Sequence, residues 1–100
     1  MANFRFTRKA VEDLEGIWNY TFETWSENQA DAYYLMLLEY CKEIAHKPAL
    51  GRIYSEIAEN LSGFKSGRHI IFYRKIGENE VEIIRILHEQ MDLKHRLSEK

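Results

Sequence analysis

The fold of this chain is decided by two stretches of its sequence, Gly67-Arg68-His69-Ile70-Ile71-Phe72-Tyr73-Arg74 and Arg85-Ile86-Leu87-His88-Glu89-Gln90-Met91-Asp92. Both contain an apolar run, Ile70-Ile71-Phe72-Tyr73 in the first and Ile86-Leu87 in the second. The residues between them include the turn-forming sequence Gly77-Glu78-Asn79-Glu80, so the two stretches predict neighbouring antiparallel strands. Each stretch also carries arginine and histidine, which a strand that only filled a core would not need. The pair therefore predicts a sheet surface that meets another molecule.

Upstream of these strands, the sequence predicts a short strand and two helices. Phe4-Arg5-Phe6 alternates in polarity as a strand does, and a helix follows over about residues 8–25. Ser26 and Gln29 have the spacing of a capping box, so a second helix starts at once and ends before Pro48. Because the connection is so short, we expect the two helices to form an antiparallel hairpin.

Apolar side chains recur at three- and four-residue steps through both helices. The stripe of the first helix consists of Val11, Leu14, Trp18, Thr21, Phe22 and Trp25, flanked by Ala10 and Ile17. The stripe of the second consists of Ala30, Tyr33, Tyr34, Leu37, Cys41, Ile44 and Ala45. We interpret Trp18, Trp25, Tyr33 and Tyr34 as core packing residues. Tyr20, Leu35 and Met36 lie outside the stripes, which is typical of a helix face covered by a partner, although scattered surface hydrophobic residues are the alternative.

The second half of the chain predicts an antiparallel meander of three strands. The strands cover about residues 61–65, 68–76 and 81–87, residues 49–60 form a loop, and residues 92–98 form one or two helical turns. The fold class is therefore α+β, in which an N-terminal strand and an antiparallel helix hairpin accompany the β-meander. We expect the hairpin to cover one face of the sheet and the other face to be freer. Simple alternation places Val81, Ile83, Arg85 and Leu87 on one face of the last strand.

Length and composition bound the functions open to the chain. Its 100 residues predict one domain, residues 1–100, and its net charge of −2 argues against strong general affinity for nucleic acid. Residues 51–100 nevertheless carry nine Lys and Arg against eight Asp and Glu, so any basic patch belongs to the strands. No signal peptide or apolar run long enough to span a membrane is visible, and Cys41 has no second cysteine to pair with. These features predict a cytoplasmic protein.

Few residues offer chemistry by motif. Arg68, Arg74 and Arg85 are the cations placed to recognise an acidic or phosphate-bearing partner. For Arg85, whose neighbours on its face are apolar, the alternative is a structural ion pair with Glu82 or Glu56, or a place at an edge that faces a partner protein. His88 could act as a general base or be a hydrogen-bonded surface residue. No Cys or His pair has zinc-ligand spacing, and no motif predicts a cofactor or metal.

The order of these motifs resembles the ParE branch of the RelE/ParE toxins, the toxin halves of bacterial toxin–antitoxin modules. The resemblance covers nearly the whole chain. It rests on Thr7-x-x-Ala10-x-x-Asp13-Leu14-x-x-Ile17-Trp18-x-Tyr20, Gln29-Ala30-x-x-Tyr33, Pro48-x-x-Gly51-Arg52, Gly67-Arg68-His69-x-Ile71-Phe72-Tyr73-Arg74 and Ile84-Arg85-Ile86-Leu87-His88-x-x-Met91-Asp92.

The resemblance implies a type II toxin that is neutralised by a ParD-like antitoxin, contacts DNA only indirectly through that antitoxin, and has no membrane partner. ParE-like members block DNA gyrase, whereas RelE-like members cut messenger RNA on the ribosome. RelE-type cleavers tend to carry cations or a tyrosine at positions that here are Ile70, Gln90 and Arg96, and no aromatic residue follows Tyr73. We therefore expect inhibition of gyrase by binding and no enzyme activity. The alternatives are a ribosome-dependent endoribonuclease using Arg68, Arg85 and His88, and a non-toxic member of the fold that only binds a partner.

Two sets of contact residues follow from the resemblance. The set expected to contact the target is Arg68, Arg74, Arg85, His88, Met91 and Asp92, within or before a C-terminal tail over residues 91–100. The set expected to contact the antitoxin is Tyr20, Tyr33, Leu35, Met36 and Tyr40.

Overall fold

The structure is a computed structural model that describes residues 2–91 and 93–97, apart from the side chain of Lys94. The strands are β1 (Asn3–Phe6), β2 (Arg52–Ile53), β3 (Ser62–Ser66), β4 (His69–Gly77) and β5 (Glu80–His88). The helices are α1 (Arg8–Thr24), α2 (Glu27–His46) and α3 (Leu93–Leu97), with a single 3-10 turn at Pro48–Leu50. The predicted order of strand, helix hairpin and meander is confirmed, as is the helical turn near the C-terminus.

The five strands form one mixed sheet in the order β1-β5-β4-β3-β2. β3, β4 and β5 are antiparallel neighbours, which confirms the meander. β1 pairs in parallel with β5, from Asn3 opposite Glu80 to Phe6 opposite Ile83. The two-residue strand β2, in the segment that we predicted to be loop, adds an antiparallel edge to β3. Two residues are too few to show a strand's alternation, so β2 could not be predicted from local pattern.

Side-chain caps mark the starts of the two helices, and a hydrogen bond between side chains links one helix to the other. The Thr7 hydroxyl accepts a hydrogen bond from the Ala10 amide at the start of α1. The Ser26 hydroxyl accepts one from the Gln29 amide at 3.1 Å, which confirms the predicted start of α2. Trp18 Nε1 donates to Asp31 Oδ1 at 2.9 Å across the hairpin. These two residues lie at nearly equal distances from the connection, as antiparallel helices require.

The apolar stripe predicted for α2 is confirmed. The stripe predicted for α1 includes residues that lie beside the buried face of the helix and not on it. Ala10 and Leu14 are the buried residues of α1, whereas Val11, Phe22 and Trp25 are exposed. Trp25, 71% exposed, follows the last helical residue, so it never packs under the hairpin, and our assignment of it to the core was wrong.

The sheet buries apolar residues on both faces, so the prediction of a freer second face was also wrong. The helix-side cluster includes Ile71, Tyr73, Val81, Ile83 and Ile86 from the sheet. The opposite cluster consists of Leu61, Ile70, Phe72 and Leu87, with residues from the 54–58 segment and α3 packed against it.

A bulge in β5 explains why simple alternation failed on that strand. Phe72 lies opposite Arg85, but Tyr73 lies opposite Ile83, so Ile84 is an extra residue in the ladder. An extra residue reverses the alternation beyond it. Ile83 therefore packs on the helix side and Leu87 on the opposite side, contrary to the single face that we predicted for them.

Candidate target-binding groove

One groove, of about 990 Å³, opens between α1, the start of α2 and the end of the sheet where β4 begins and β5 ends. Its lining mixes aromatic, apolar and charged side chains. On the helix side these include Asp13, Ile17, Tyr20, Trp25 and Tyr33; on the sheet side they include Arg68, His69, Arg85, Ile86, His88, Met91 and Arg96. We call this feature the groove. Binding sites commonly combine an apolar surface, which buries apolar atoms of the partner, with a few charged groups that orient the partner.

The tight turn between β3 and β4 sets one corner of the groove. Gly67 has a φ of 62°, which glycine adopts without strain in the two-residue loop of a hairpin. The Tyr33 hydroxyl accepts a hydrogen bond from the Arg68 amide at 3.1 Å and lies 3.3 Å from the Ser66 carbonyl oxygen. A Cβ on Gly67 would come within 2.8 Å of that hydroxyl. The turn thus holds the exposed Arg68 side chain at the rim, where its guanidinium makes no hydrogen bond or ion pair with any described residue.

Two histidines face each other across β4 and β5 in the groove. His69 lies opposite His88 in the ladder, and their ring centroids are 5.4 Å apart. Burial, with a further contribution from the charge of His88, lowers the pKa of His69 to about 4. His69 Nδ1 is hydrogen-bonded to the Tyr33 hydroxyl at 2.7 Å, and His88 Nδ1 accepts from the Gln90 amide at 3.1 Å. His69 is therefore neutral at physiological pH and can offer hydrogen bonds but no charge to a bound partner.

Arg85 is paired inside the molecule. Its Nε and Nη2 donate to the two carboxylate oxygens of Asp13 at 2.8 and 3.0 Å, and its Nη1 donates to the Arg96 carbonyl oxygen at 3.0 Å. The ion-pair alternative that we kept open for Arg85 is correct in kind, but the partner is Asp13 and not Glu82 or Glu56. Asp13 lies on the helix, 72 residues away in sequence, so strand patterns could not reveal it.

The structure brings four of the six predicted target-contact residues together. Arg68, Arg85, His88 and Met91 all line the groove. Arg74 does not, because it lies five residues along β4 from His69, or about 16 Å at strand spacing, and donates to the Glu59 carbonyl oxygen. Asp92 lies outside the described residues.

The predicted antitoxin-contact residues divide between two surfaces. Tyr20 and Tyr33 line the groove, together with the target-contact residues. Leu35 is 60% exposed on α2, as we expected for a residue outside the stripe. Met36 and Tyr40 are only partly exposed and pack against the helix-side cluster, where Tyr40 also contacts the Phe64 ring.

Sequence reasoning missed several groove residues. Asp13 appeared only in the family pattern, and Trp25 was assigned to the core. His69 was noted only as part of the stretch over residues 67–74, and Arg96 only within the C-terminal tail and as a position compared with RelE-type cleavers. A usable signal existed for Asp13, because it flanks the buried Leu14 on a helix that must pack on the sheet. Among the described residues, no group of three or more His, Cys, Asp or Glu side chains could hold a metal ion. No helix within the described part is both long and apolar enough to cross a membrane.

This combination of fold and groove has known counterparts. The family of ParE toxins of the type II toxin–antitoxin system parDE matches residues 4–93, and the chain belongs to that family. The sequence resemblance to ParE proteins is thereby confirmed.

Individual relatives agree with the family match. The chain is 35% identical over 97 residues to Toxin ParE1 of Caulobacter vibrioides, covering 97% of this chain and 99% of the relative. It is 34% identical over 88 residues to Toxin ParE1 of Mycobacterium tuberculosis, covering 88% and 90%. A solved structure of the chromosomal ParDE system from P. aeruginosa has the same fold, with a TM-score of 0.74, 19% identity, and coverage of 88% of this chain and 96% of that one.

Proposed function

We propose that this protein inhibits DNA gyrase by binding it, and that a ParD-like antitoxin prevents this by binding the toxin. The observation that carries the proposal is the family match, which extends over residues 4–93 and so includes every groove-lining residue except Arg96. Gyrase as the target follows from the resemblance to ParE-like toxins. The groove supports the proposal because it presents Arg68, His88 and Met91 beside exposed aromatic rings, a composition suited to holding a protein surface.

The positions where RelE-type cleavers tend to carry catalytic groups favour binding over RNA cleavage. Ile70 is apolar and buried in the cluster with Leu61, Phe72 and Leu87, so this chain offers no cation at that position. The low pKa of His69 leaves it neutral, and so unable to stabilise developing negative charge as a cation would. The apolar residue at position 70 therefore supports inhibition without bond breaking, whereas a neutral His69 keeps the form that a general base needs.

A ribosome-dependent endoribonuclease remains the second candidate, and one observation favours it. Arg68 and Arg96 line the same groove as Trp25, and two cations beside an exposed aromatic ring can hold a phosphate while the ring stacks a base. The proposed antitoxin partner does not separate the two candidates, since both kinds of toxin are neutralised by one.

A supercoiling assay tests the proposal. Purified chain added to gyrase and relaxed plasmid should abolish ATP-dependent supercoiling and leave cleaved DNA, and the cognate antitoxin should restore activity. Arg68→Ala should weaken inhibition about tenfold or more, because it removes an exposed cation from the groove rim. Arg52→Ala, an exposed arginine on β2, is the matched control and should inhibit as wild type does.

Adding the same preparation to a reconstituted translation system tests the alternative, the ribosome-dependent endoribonuclease. Cuts in messenger RNA on the ribosome, with supercoiling unaffected, would replace the gyrase proposal with the endoribonuclease. Normal growth after induction without antitoxin, and no effect in either assay, would instead identify a non-toxic partner-binding protein.

A further inference from the structure

One edge of β5 is hydrogen-bonded first by strand β1, and farther along by the side chains of the α1 N-cap and of α1 itself. β1 pairs with β5 only as far as Phe6 opposite Ile83. Beyond that point the Thr7 hydroxyl donates to the Ile84 carbonyl oxygen at 2.7 Å, and Asp13 Oδ2 accepts from the Ile86 amide at 2.9 Å. α1 thus completes the edge that β1 leaves open, next to the bulge.

The Asp13 carboxylate also connects this edge to the C-terminal helix. Asp13 binds Arg85 through both carboxylate oxygens, and Arg85 Nη1 continues to the carbonyl oxygen of Arg96 in α3. The Asp13 and Arg85 side chains are only 13% and 12% exposed, so water competes weakly for these bonds. We call this set of contacts the Asp13–Arg85 bridge. It joins α1, β5 and α3, the three elements that enclose one end of the groove.

We propose that Arg85 is a positioning residue and not a target contact: the Asp13–Arg85 bridge holds α3 in place as a wall of the groove. This inference rests on the proposed function, in which the groove binds gyrase, and it replaces the direct contact that we predicted for Arg85. At least three of the five N–H donors of Arg85 already bind Asp13 and the Arg96 carbonyl oxygen, so a target carboxylate would compete with these partners for the guanidinium. Arg68 is exposed at the rim, so a target could bind its guanidinium without displacing a partner within the described residues.

Two substitutions separate positioning from contact, because the two roles predict opposite results. Asp13→Ala removes the competing carboxylate, so a contacting Arg85 would bind the target as well as before or better. A positioning Arg85 would lose its anchor, and gyrase inhibition would weaken about tenfold or more. Arg85→Lys keeps the positive charge, which would largely preserve a contact, but one ammonium cannot reproduce the paired bonds to Asp13 together with the bond to α3. Positioning therefore predicts loss of inhibition in Arg85→Lys as well.

A spectroscopic measurement reports on α3 directly. Leu93 and Leu97 pack against the second apolar cluster of the sheet, which includes Phe72 and Leu87. In methyl NMR spectra, contacts between these two leucines and that cluster should weaken in Asp13→Ala and Arg85→Lys, while contacts within the cluster stay. Arg52→Lys alters an exposed arginine–glutamate pair between Arg52 and Glu56 and should change neither spectrum nor inhibition.

Every outcome bears on the positioning role. If Asp13→Ala does not fold, Asp13→Asn, which keeps the shape and one acceptor oxygen, takes its place with Arg85→Lys. Weakened leucine contacts together with weakened inhibition support the proposal. Unchanged leucine contacts in Arg85→Lys, or full inhibition by either folded variant, overturn it. If the wild-type chain does not inhibit gyrase at all, the proposed function fails, and the NMR result alone still decides whether the bridge holds α3.

Discussion

Tyr33 shows how a single residue joins the helix hairpin to the groove. It lies on the inner stripe of α2, yet its hydroxyl reaches the Arg68 amide and His69 Nδ1 in the β3–β4 turn. Burial raises the pKa of this hydroxyl, so it remains protonated and available for hydrogen bonding. The sequence predicted the helical stripe correctly, but helical periodicity carries no information about what the end of a tyrosine side chain touches.

At His69, burial makes folding stability depend on pH. The folded-state pKa of about 4 lies below the ordinary value of 6.5, so between these values the unfolded chain binds a proton that the folded chain does not. The contribution of His69 is complete above about pH 6.5 and is lost as the pH falls towards 4. We expect the free energy of unfolding to fall by about 1 to 2 kcal/mol over this range, less than the full shift implies because water partly screens the ring.

Urea unfolding of wild type and His69→Gln at intervals from pH 4 to pH 7.5 measures this contribution. For His69→Gln, the free energy of unfolding should fall less steeply with decreasing pH, because the contribution of His69 is absent. His46→Gln, at the exposed C-terminal end of α2, should retain it. Identical slopes in wild type and His69→Gln would contradict the assignment.

At the scale of elements, the sequence predicted types and order well because each depends on local signals. Capping residues, helical stripes and turn-forming residues lie within a few positions of the elements that they define. The bulge at Ile84 and the parallel pairing of β1 with β5 depend on contacts between residues far apart in the chain. The groove was predictable only as a set of cations near the last strands, because Asp13, Tyr20 and Trp25 reach it through the packing of α1.

The capping residues of α1 and α2 should contribute different amounts to the free energy of unfolding. Ser26 only caps α2, whereas Thr7 caps α1 and also donates to the Ile84 carbonyl oxygen beside the bulge. Ser26→Ala should therefore cost about 1 kcal/mol and Thr7→Val about 2 kcal/mol, the sum of a cap and a further hydrogen bond. Thr7→Ser, which keeps the hydroxyl, is the control. Chemical denaturation measures all three, and equal losses for Ser26→Ala and Thr7→Val would show that the bond to Ile84 contributes nothing.

At the scale of the whole molecule, Leu35 and the groove lie on different sides of α2. Tyr33, which lines the groove, and Leu35 are two positions apart, about 200° around the helix. Leu35 is therefore directed away from the groove. An antitoxin that covered this helix face would leave the groove accessible unless another of its segments reached across, so we expect mutation to separate the two proposed binding functions.

Leu35→Glu should weaken antitoxin binding at least about tenfold while gyrase inhibition persists, because it places a charge on an apolar contact outside the groove. Met36 is not a useful companion, since it packs against the helix-side cluster and its replacement by glutamate would disturb the core. Ile53→Glu is the matched control, because Ile53 is 69% exposed on the edge strand β2, remote from the hairpin. Calorimetric titration with the cognate antitoxin and a supercoiling assay read out the two functions. If Ile53→Glu weakened antitoxin binding and Leu35→Glu did not, the antitoxin would follow the sheet edge instead of the outer face of α2.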